Sequence, residues 1–407
     1  MRKVLFVLTF TLLLVLTAVN VLAQTDITYW LWLDDPTDPT IKNLVEEYNK
    51  THPDINVNME MIPMSQYHDR LATALATNSG PDVARFKIWW LGEFEKAGLL
   101  EGLDNYINSW DMKNDVIDNL WDTGKVPGKD EVYMMPHQFI SFYMYYRQDW
   151  FEENGLSEPV SFADMLEAGK AFTDPDEQRY GFALRGGAGG GDQWLAFMLA
   201  GGARVIDEDG NVIINNDTAV EVNQLYIDLF RKHHIAPPTC PTDGFAQIMG
   251  GFQSGNTAMA MHHVGSSKTM QEALGDNVAV TAIPQKDPDN PATIAAMSGH
   301  VMFKTSAKKD AAFKFMSWMT EKRAMEKWTN SADGQLPVLK SVARMPKFQD
   351  DPFYKVSMEA ADYAKTWPPL PGVGYITSSL WQELMQKALL GEISSQEMLD
   401  QIAENIQ

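Results

Sequence analysis

The sequence predicts an α/β protein built as two lobes. Strand-like and helix-like segments alternate from Ile27 onward, the pattern of a parallel sheet covered by helices. The stretch 134–162 carries the chain along one aromatic strand into two successive helices, as a crossing from one lobe to another would. The length, 407 residues, also exceeds what one ordinary core organises.

The chain opens with a basic start (Arg2, Lys3), an apolar run at 4–16, and small residues at Val21 and Ala23 before Gln24. That is the pattern of a secretory signal peptide cleaved after Ala23, so a periplasmic protein is expected. The alternative, an N-terminal membrane anchor, is opposed by the polar turn after Ala23. No later run approaches the roughly 20 apolar residues that span a bilayer, and the residue directly after the cleavage site is Gln24 rather than a cysteine that could carry a lipid. Cys240 is the single cysteine, which excludes an internal disulfide. The formal charge of −21 becomes −23 once residues 1–23 are removed, since they hold Arg2 and Lys3 and no acid. Such a surface repels nucleic acid and anionic lipid, and neither is expected as a partner.

In order, ITYWLWL at 27–33 reads as a buried strand ending at Asp34-Asp35-Pro36, and 40–49 as an amphipathic helix. A strand at 52–60 completes a βαβ unit. A helix at 67–77 leads to a third strand that begins at 80–84, and another helix starts at 91–97. The run FISFYMYY at 139–146 suits a strand buried on at least one face. A short helix then stops at Gly155, and Ser161 with Asp164 forms an imperfect capping box for the next.

Helices dominate after the crossing, at 162–172, 194–200 and 219–232. The glycine-rich segment LRGGAGGGDQW at 184–194 lacks both the Gly-Lys-Ser/Thr ending and the GxGxxG order, which argues against a phosphate loop. It reads instead either as a flexible loop or as one that lets backbone and Trp194 approach a ligand closely. Asp207–Asn211 is a hairpin turn without the spaced ligands of a calcium loop. Residues 249–256 read as a turn before a buried strand at 257–261. VAVTAIP at 278–284 reads as a further strand and the return crossing. Residues 298–303 precede a helix at 308–319, and a helical tail runs to Ile406. His233-His234 is discounted as a metal site, since adjacent helical residues point apart. Neither a metal nor a cofactor is expected.

Taken together, ITYWLWLDDP, GPDVA, FYMYYRQDWFEENGL with SFADML, FQSGNTAMAM, VAVTAIP and KKDAAFKFMSWM resemble, in the same order, the extracellular solute-binding proteins of ATP-binding-cassette sugar importers. The maltose-binding protein belongs to that wider family. The resemblance implies a two-lobed periplasmic-binding-protein fold. Each lobe would be a mixed, mostly parallel sheet flanked by helices, with the ligand cleft between them. It implies one lobe of 24–139 plus about 284–325 and another of 140–283 plus about 326–407. It also implies a non-enzymatic monomer that binds a carbohydrate, closes by hinge motion and meets a membrane permease.

A sugar presents hydroxyls at its edge and a C–H face, so its site needs carboxylates, amides, Arg or His beside flat aromatics. Ligands sit beyond the carboxyl ends of parallel strands. This selects Trp32, Asp34 and Asp35 after the first strand, and Asp82, Phe86 and Trp89 around the third. Asp82 also suits a structural cap. Gln138 comes from the crossing, and Arg185, Trp194 and His263 from the second lobe. The resemblance adds Gly299 and His300, where family members bring backbone near the ligand, and His263 stands where they carry an aromatic. Trp367, Tyr375 and Trp381 are late aromatics able to close the cleft. Two alternatives stay open. A secreted glycoside hydrolase would need two carboxyls about 5–5.5 or 6.5–9.5 Å apart. The same fold holding a polyamine or sugar phosphate would need extra acids, or Arg185 with His263 or His300.

Overall fold

The computed structural model describes residues 24–33, 36–331 and 334–406. The predicted signal peptide lies outside them, as do Asp34 and Asp35. Among the described residues, no helix is long and apolar enough to cross a membrane.

Ten strands occur among the described residues: β1 (Thr25–Leu31), β2 (Ile55–Met61), β3 (Val83–Lys87), β4 (Met134–Arg147), β5 (Tyr180–Phe182), β6 (Thr257–His263), β7 (Val278–Thr281), β8 (Thr293–Met302), β9 (Leu336–Pro337) and β10 (Ala364–Lys365). β1 pairs in parallel with β2 on one side and β3 on the other. The helices Thr40–Thr51 and Met64–Ala76 make the two crossovers. The first of them buries Ile41, Leu44, Val45 and Tyr48, the i, i+3, i+4, i+7 stripe that drives an amphipathic helix onto a sheet.

β4 is the long crossing strand. Its first half, from Met134 to Ser141, lies antiparallel to β8, and its second half, from Phe142 onward, lies antiparallel to β6 and β7. β8 closes the first sheet by pairing antiparallel with β3, and β5 adds to β6 in parallel. The return strand is therefore β8 rather than the VAVTAIP segment, whose β7 stays beside the distal half of β4. The polar Ser298-Gly299-His300 in the middle of β8 hides it from a hydropathy reading, although every residue of the strand is buried.

Residues 328–338, just beyond 325, also stay with the first sheet. Trp328 Nε1 donates to Gln138 Oε1 at 2.7 Å, and the Ile117 amide donates to the Val338 carbonyl at 2.9 Å. At the midpoint of β4, Ser141 Oγ donates to the Ser357 carbonyl at 2.8 Å, so the helix Pro352–Glu359 is seated on the crossing itself.

Local predictions hold where the chemistry is local. Ser161 and Asp164 form the capping box, and Gly155 takes a left-handed φ of 66° just past the helix Gln148–Glu153. Two glycine-rich runs differ from the sequence reading. The helix Phe245–Gln253 continues through Gly250 and Gly251, and the helix Gly190–Ala200 starts inside the glycine run. Tertiary packing overrides the weak helix propensity of glycine at both places. Cys240 is buried and reduced.

Candidate functional site

The first wall of the site is one face of the β3–β8–β4 sheet. Lys87 stands opposite Ser298, and Ser298 opposite Gln138, while Arg85 stands opposite His300 two residues away and so on the same face. Arg85 is 2% exposed, with its guanidinium 4.4 Å from the Trp32 ring and 5.3 Å from that of Trp328. Its Nη1 donates to the Trp32 carbonyl at 2.8 Å. The Lys87 ammonium sits 5.5 Å from the Trp32 ring and 4.9 Å from that of Trp89. Trp89 itself is half-buried and packs against two separate hydrophobic clusters, one holding Trp194 and Trp367 and the other Trp32 and Trp90.

The second wall starts at the glycine-rich loop. Arg185 Nε donates to the Ala188 carbonyl at 2.8 Å, curling the loop around its own guanidinium. Gly189 follows with a φ of 76°, and a Cβ on Gly190 would lie 2.0 Å from the Arg185 carbonyl and 2.7 Å from the Trp381 ring. Only glycine permits that approach. The helix Gly190–Ala200 then begins with no side-chain cap. Its first-turn Asp192 accepts from Trp367 Nε1 at 3.0 Å. Burial raises the Asp192 carboxyl above the usual range, against the lowering influence of the Trp367 N–H, of Lys87 from the opposite wall and of Arg185. Trp367 stacks over Trp194 at 6.2 Å, and the Trp381 ring lies tilted 6.1 Å from Trp194. Trp381 Nε1 is buried without a protein partner, a donor left over at the wall.

His263 ends β6 with its ring stacked on His262 at 4.1 Å. Its Nδ1 accepts from the Gly265 amide at 3.1 Å, which fixes that nitrogen as unprotonated. Burial and the Arg185 charge lower it to about 4, so it presents a neutral ring at physiological pH. Between Tyr375 and Trp381 the backbone forms a π-helical turn at Ile376–Leu380, an irregularity that often accompanies functional sites. The preceding turn, Val373–Tyr375, packs against the segment Ile88–Trp90 of the opposite wall.

Of the residues selected from sequence, Trp89, Arg185 and His263 lie along these walls and Tyr375 stands beside them, 53% exposed, while Trp367 and Trp381, 1% and 2% exposed, sit in the core directly behind the Arg185 loop. Others take packing roles instead. Asp82 accepts from the Thr28 amide at 2.8 Å, from Thr28 Oγ1 and from Ser306 Oγ, and pairs with Lys308 at 3.4 Å, so it pins β3 to β1. Phe86 points to the opposite sheet face, against Trp90 and Phe94. Trp194 donates its N–H to Asn223 Oδ1 at 2.8 Å within the second core. Gly299 lets β8 approach β4, since a Cβ there would meet the Met135 carbonyl at 2.2 Å. His300 is fully buried against Tyr29 and His137, and Gln138 is occupied by Trp328. Trp32 is 1% exposed, wedged edge-on against Tyr67 and Trp90. Lys87 and Asp192 were not selected. The period-two spacing of Arg85 and Lys87 and the first-turn position of Asp192 after the glycines were the available signals.

A family model described as bacterial extracellular solute-binding protein matches residues 34–326. The chain belongs to that family. Among curated relatives, this solute-binding protein is 25% identical over 391 residues to the mannitol-binding protein of Pseudomonas aeruginosa, covering 88% of this chain and 87% of the relative. It is 24% identical over 344 residues to the maltotriose-binding protein of Pyrococcus abyssi, covering 82% and 71%. Its fold superposes on the sugar-binding protein MalE of Xanthomonas citri with a TM-score of 0.81 at 22% identity, over 94% of this chain and 96% of that one. The ABC transporter solute-binding protein of Thermotoga lettingae, solved with α-D-tagatose, gives 0.79 at 23% identity, over 94% and 99%. Both likenesses establish the two-lobed α/β fold.

Proposed function

We propose that this protein binds a carbohydrate between its lobes, closes on it by hinge motion and delivers it to the permease of an ABC importer. The observation that carries the reading is the pairing of walls across the seam. Lys87 and Trp89 face Asp192, Arg185 and Trp367, which supplies both signs of charge and flat aromatic surface. Charged and amide groups suit vicinal hydroxyls, and indoles suit the C–H face of a pyranose. The relatives named for mannitol and maltotriose support a polyol or sugar over other solutes. The ligand acts only through its stronger affinity for the closed arrangement. The protein works as a non-enzymatic monomer in the periplasm after cleavage behind Ala23. Its first lobe comprises 24–139 and a returning segment that starts near β8 and continues past 325. The second lobe comprises the remainder.

The test is a thermal-shift screen of the purified mature protein against mono- and oligosaccharides and polyols, with sugar phosphates and polyamines alongside. Calorimetry then follows on each hit. A saturable shift with one sugar class, a Kd on the order of micromolar or tighter (about −8 kcal/mol) and ligand recovered intact are expected. Recovery of cleaved sugar would replace the reading with a hydrolase, and a shift with phosphates or amines alone would replace the ligand.

A further inference from the structure

Behind the Arg185 loop, on the flank of the second lobe, a groove encloses about 370 Å³, the low end of the range for small-molecule sites. Its floor is Ala183, Ile248, Asp243 and Thr257, all buried, and Tyr180, Pro237 and Pro238 give it apolar walls. Asp243 is its one charged lining residue, 8% exposed, with Oδ2 accepting from Thr239 Oγ1 at 2.9 Å. Burial raises the Asp243 carboxyl above its usual range, and only the Thr239 hydroxyl opposes it. Thr257 is 2% exposed, and its Oγ1 is buried without a hydrogen-bond partner. A dehydrated carboxylate and an unmatched hydroxyl lining one groove, with no basic side chain among its lining residues, are costly unless a donor of positive charge occupies it.

We propose that this groove is a binding site for a small organic ammonium ion. The N–H groups or charge of such an ion meet Asp243 and Thr257, and its methylenes lie against Tyr180, Pro237 and Pro238. A bare metal ion fits poorly. It needs several oxygen ligands at about 2.0–2.6 Å, and no group of three or more His, Cys, Asp or Glu able to hold one occurs among the described residues. The overall charge of −21 concentrates cations near the surface and favours capture. The groove also touches the sugar site through the backbone. The Asp243 carbonyl accepts from the Gly187 amide at 2.9 Å, and the Cys240 carbonyl from that of Gly186, so the loop carrying Arg185 is tied to the segment that supplies Asp243 to the groove.

The experiment is calorimetric titration of the mature protein with n-butylammonium chloride, against potassium chloride at equal ionic strength. Saturable one-to-one binding is expected for butylammonium and not for potassium. Asp243→Asn should weaken it at least tenfold. Gly251→Leu offers a route independent of Asp243. A Cβ at Gly251 meets only Thr257, at 4.0 Å, so the added side chain enters the groove while the helix is preserved. That variant should fold, bind sugar normally and lose the ammonium. Asp192→Asn, which alters the sugar site, should leave ammonium binding intact. Absence of saturation, equal heats with potassium, or unchanged binding in Gly251→Leu would each overturn the site. Loss of ammonium binding in Asp192→Asn would move it to the cleft.

Discussion

Asp82 and Asp192 show how one residue type serves two ends. Asp82 has both oxygens committed to Thr28 on β1 and to Ser306 and Lys308 in the turn after β8. Asp82→Ala orphans buried donors and is expected to cost about 2–4 kcal/mol of stability, read by urea denaturation. Its sugar affinity should stay within about threefold of the parent, because nothing at the seam depends on it. Asp192 sits between Trp367 of its own lobe and Lys87 of the other. Asp192→Asn keeps the shape and the acceptor for Trp367 but removes the charge. Sugar affinity should fall at least tenfold, about 1.4 kcal/mol, with little change in melting. A variant that binds sugar as well as the parent would remove Asp192 from the site.

At the scale of elements, two histidines lie beside the crossing strands. His137 sits in the irregularity of β4 and His300 on β8, with rings 4.6 Å apart, and both His137 nitrogens are buried without partners. Burial first, then each other's proximity and Arg85, hold His137 well below the ordinary histidine range. Burial and Arg85 bring His300 to about 3. The groups facing them are Arg85, Tyr29 and Trp328, and none supplies negative charge. Because the folded pKa values are depressed, the stability they contribute is complete above the unfolded value near 6.5. It is lost as pH falls below that value, by up to about 1.4 kcal/mol per pH unit for each ring. Melting of the ligand-free protein should therefore drop between pH 7 and 4.5, and His137→Leu should flatten the drop. An identical pH slope in both proteins would refute this assignment.

The same elements mark what the sequence makes legible. The capping box at Ser161, the stop at Gly155 and the βαβ order at the start depend on neighbours along the chain, and all three are readable. β8 depends on partners more than 150 residues away, and its Ser-Gly-His centre makes no sense until β3 and β4 flank it. For the site, aromatic residue type selects Trp89, Trp367 and Trp381, yet the same criterion equally selects Phe86 and Trp194, and of these only Trp89 is not fully buried in a core. Burial on one face or the other is a tertiary outcome, and an indole looks alike in both settings.

On the scale of the whole molecule, β4 pairs with β8 over its first half and with β6 and β7 over its second, so these strands are the crossing in the proposed two-lobe division. The helix Pro352–Glu359 is fastened at the middle of β4 through the Ser141–Ser357 contact. Hinge closure about these strands should shrink the radius of gyration on sugar addition, measured by small-angle scattering, and Asp192→Asn should require proportionately more sugar for the same change. A ligand-saturated protein with an unaltered scattering curve would contradict the hinge.

The lone Cys240 has a further consequence. Its side chain is fully buried, and burial pushes the thiol far above its usual range, so it stays protonated and inaccessible. A cysteine introduced at exposed Tyr375, beside the seam, would then be the single reactive thiol on the native protein. A polarity-sensitive dye attached there would report each closing event as a change in emission, which turns the protein into a reagentless sensor for whatever sugar it carries.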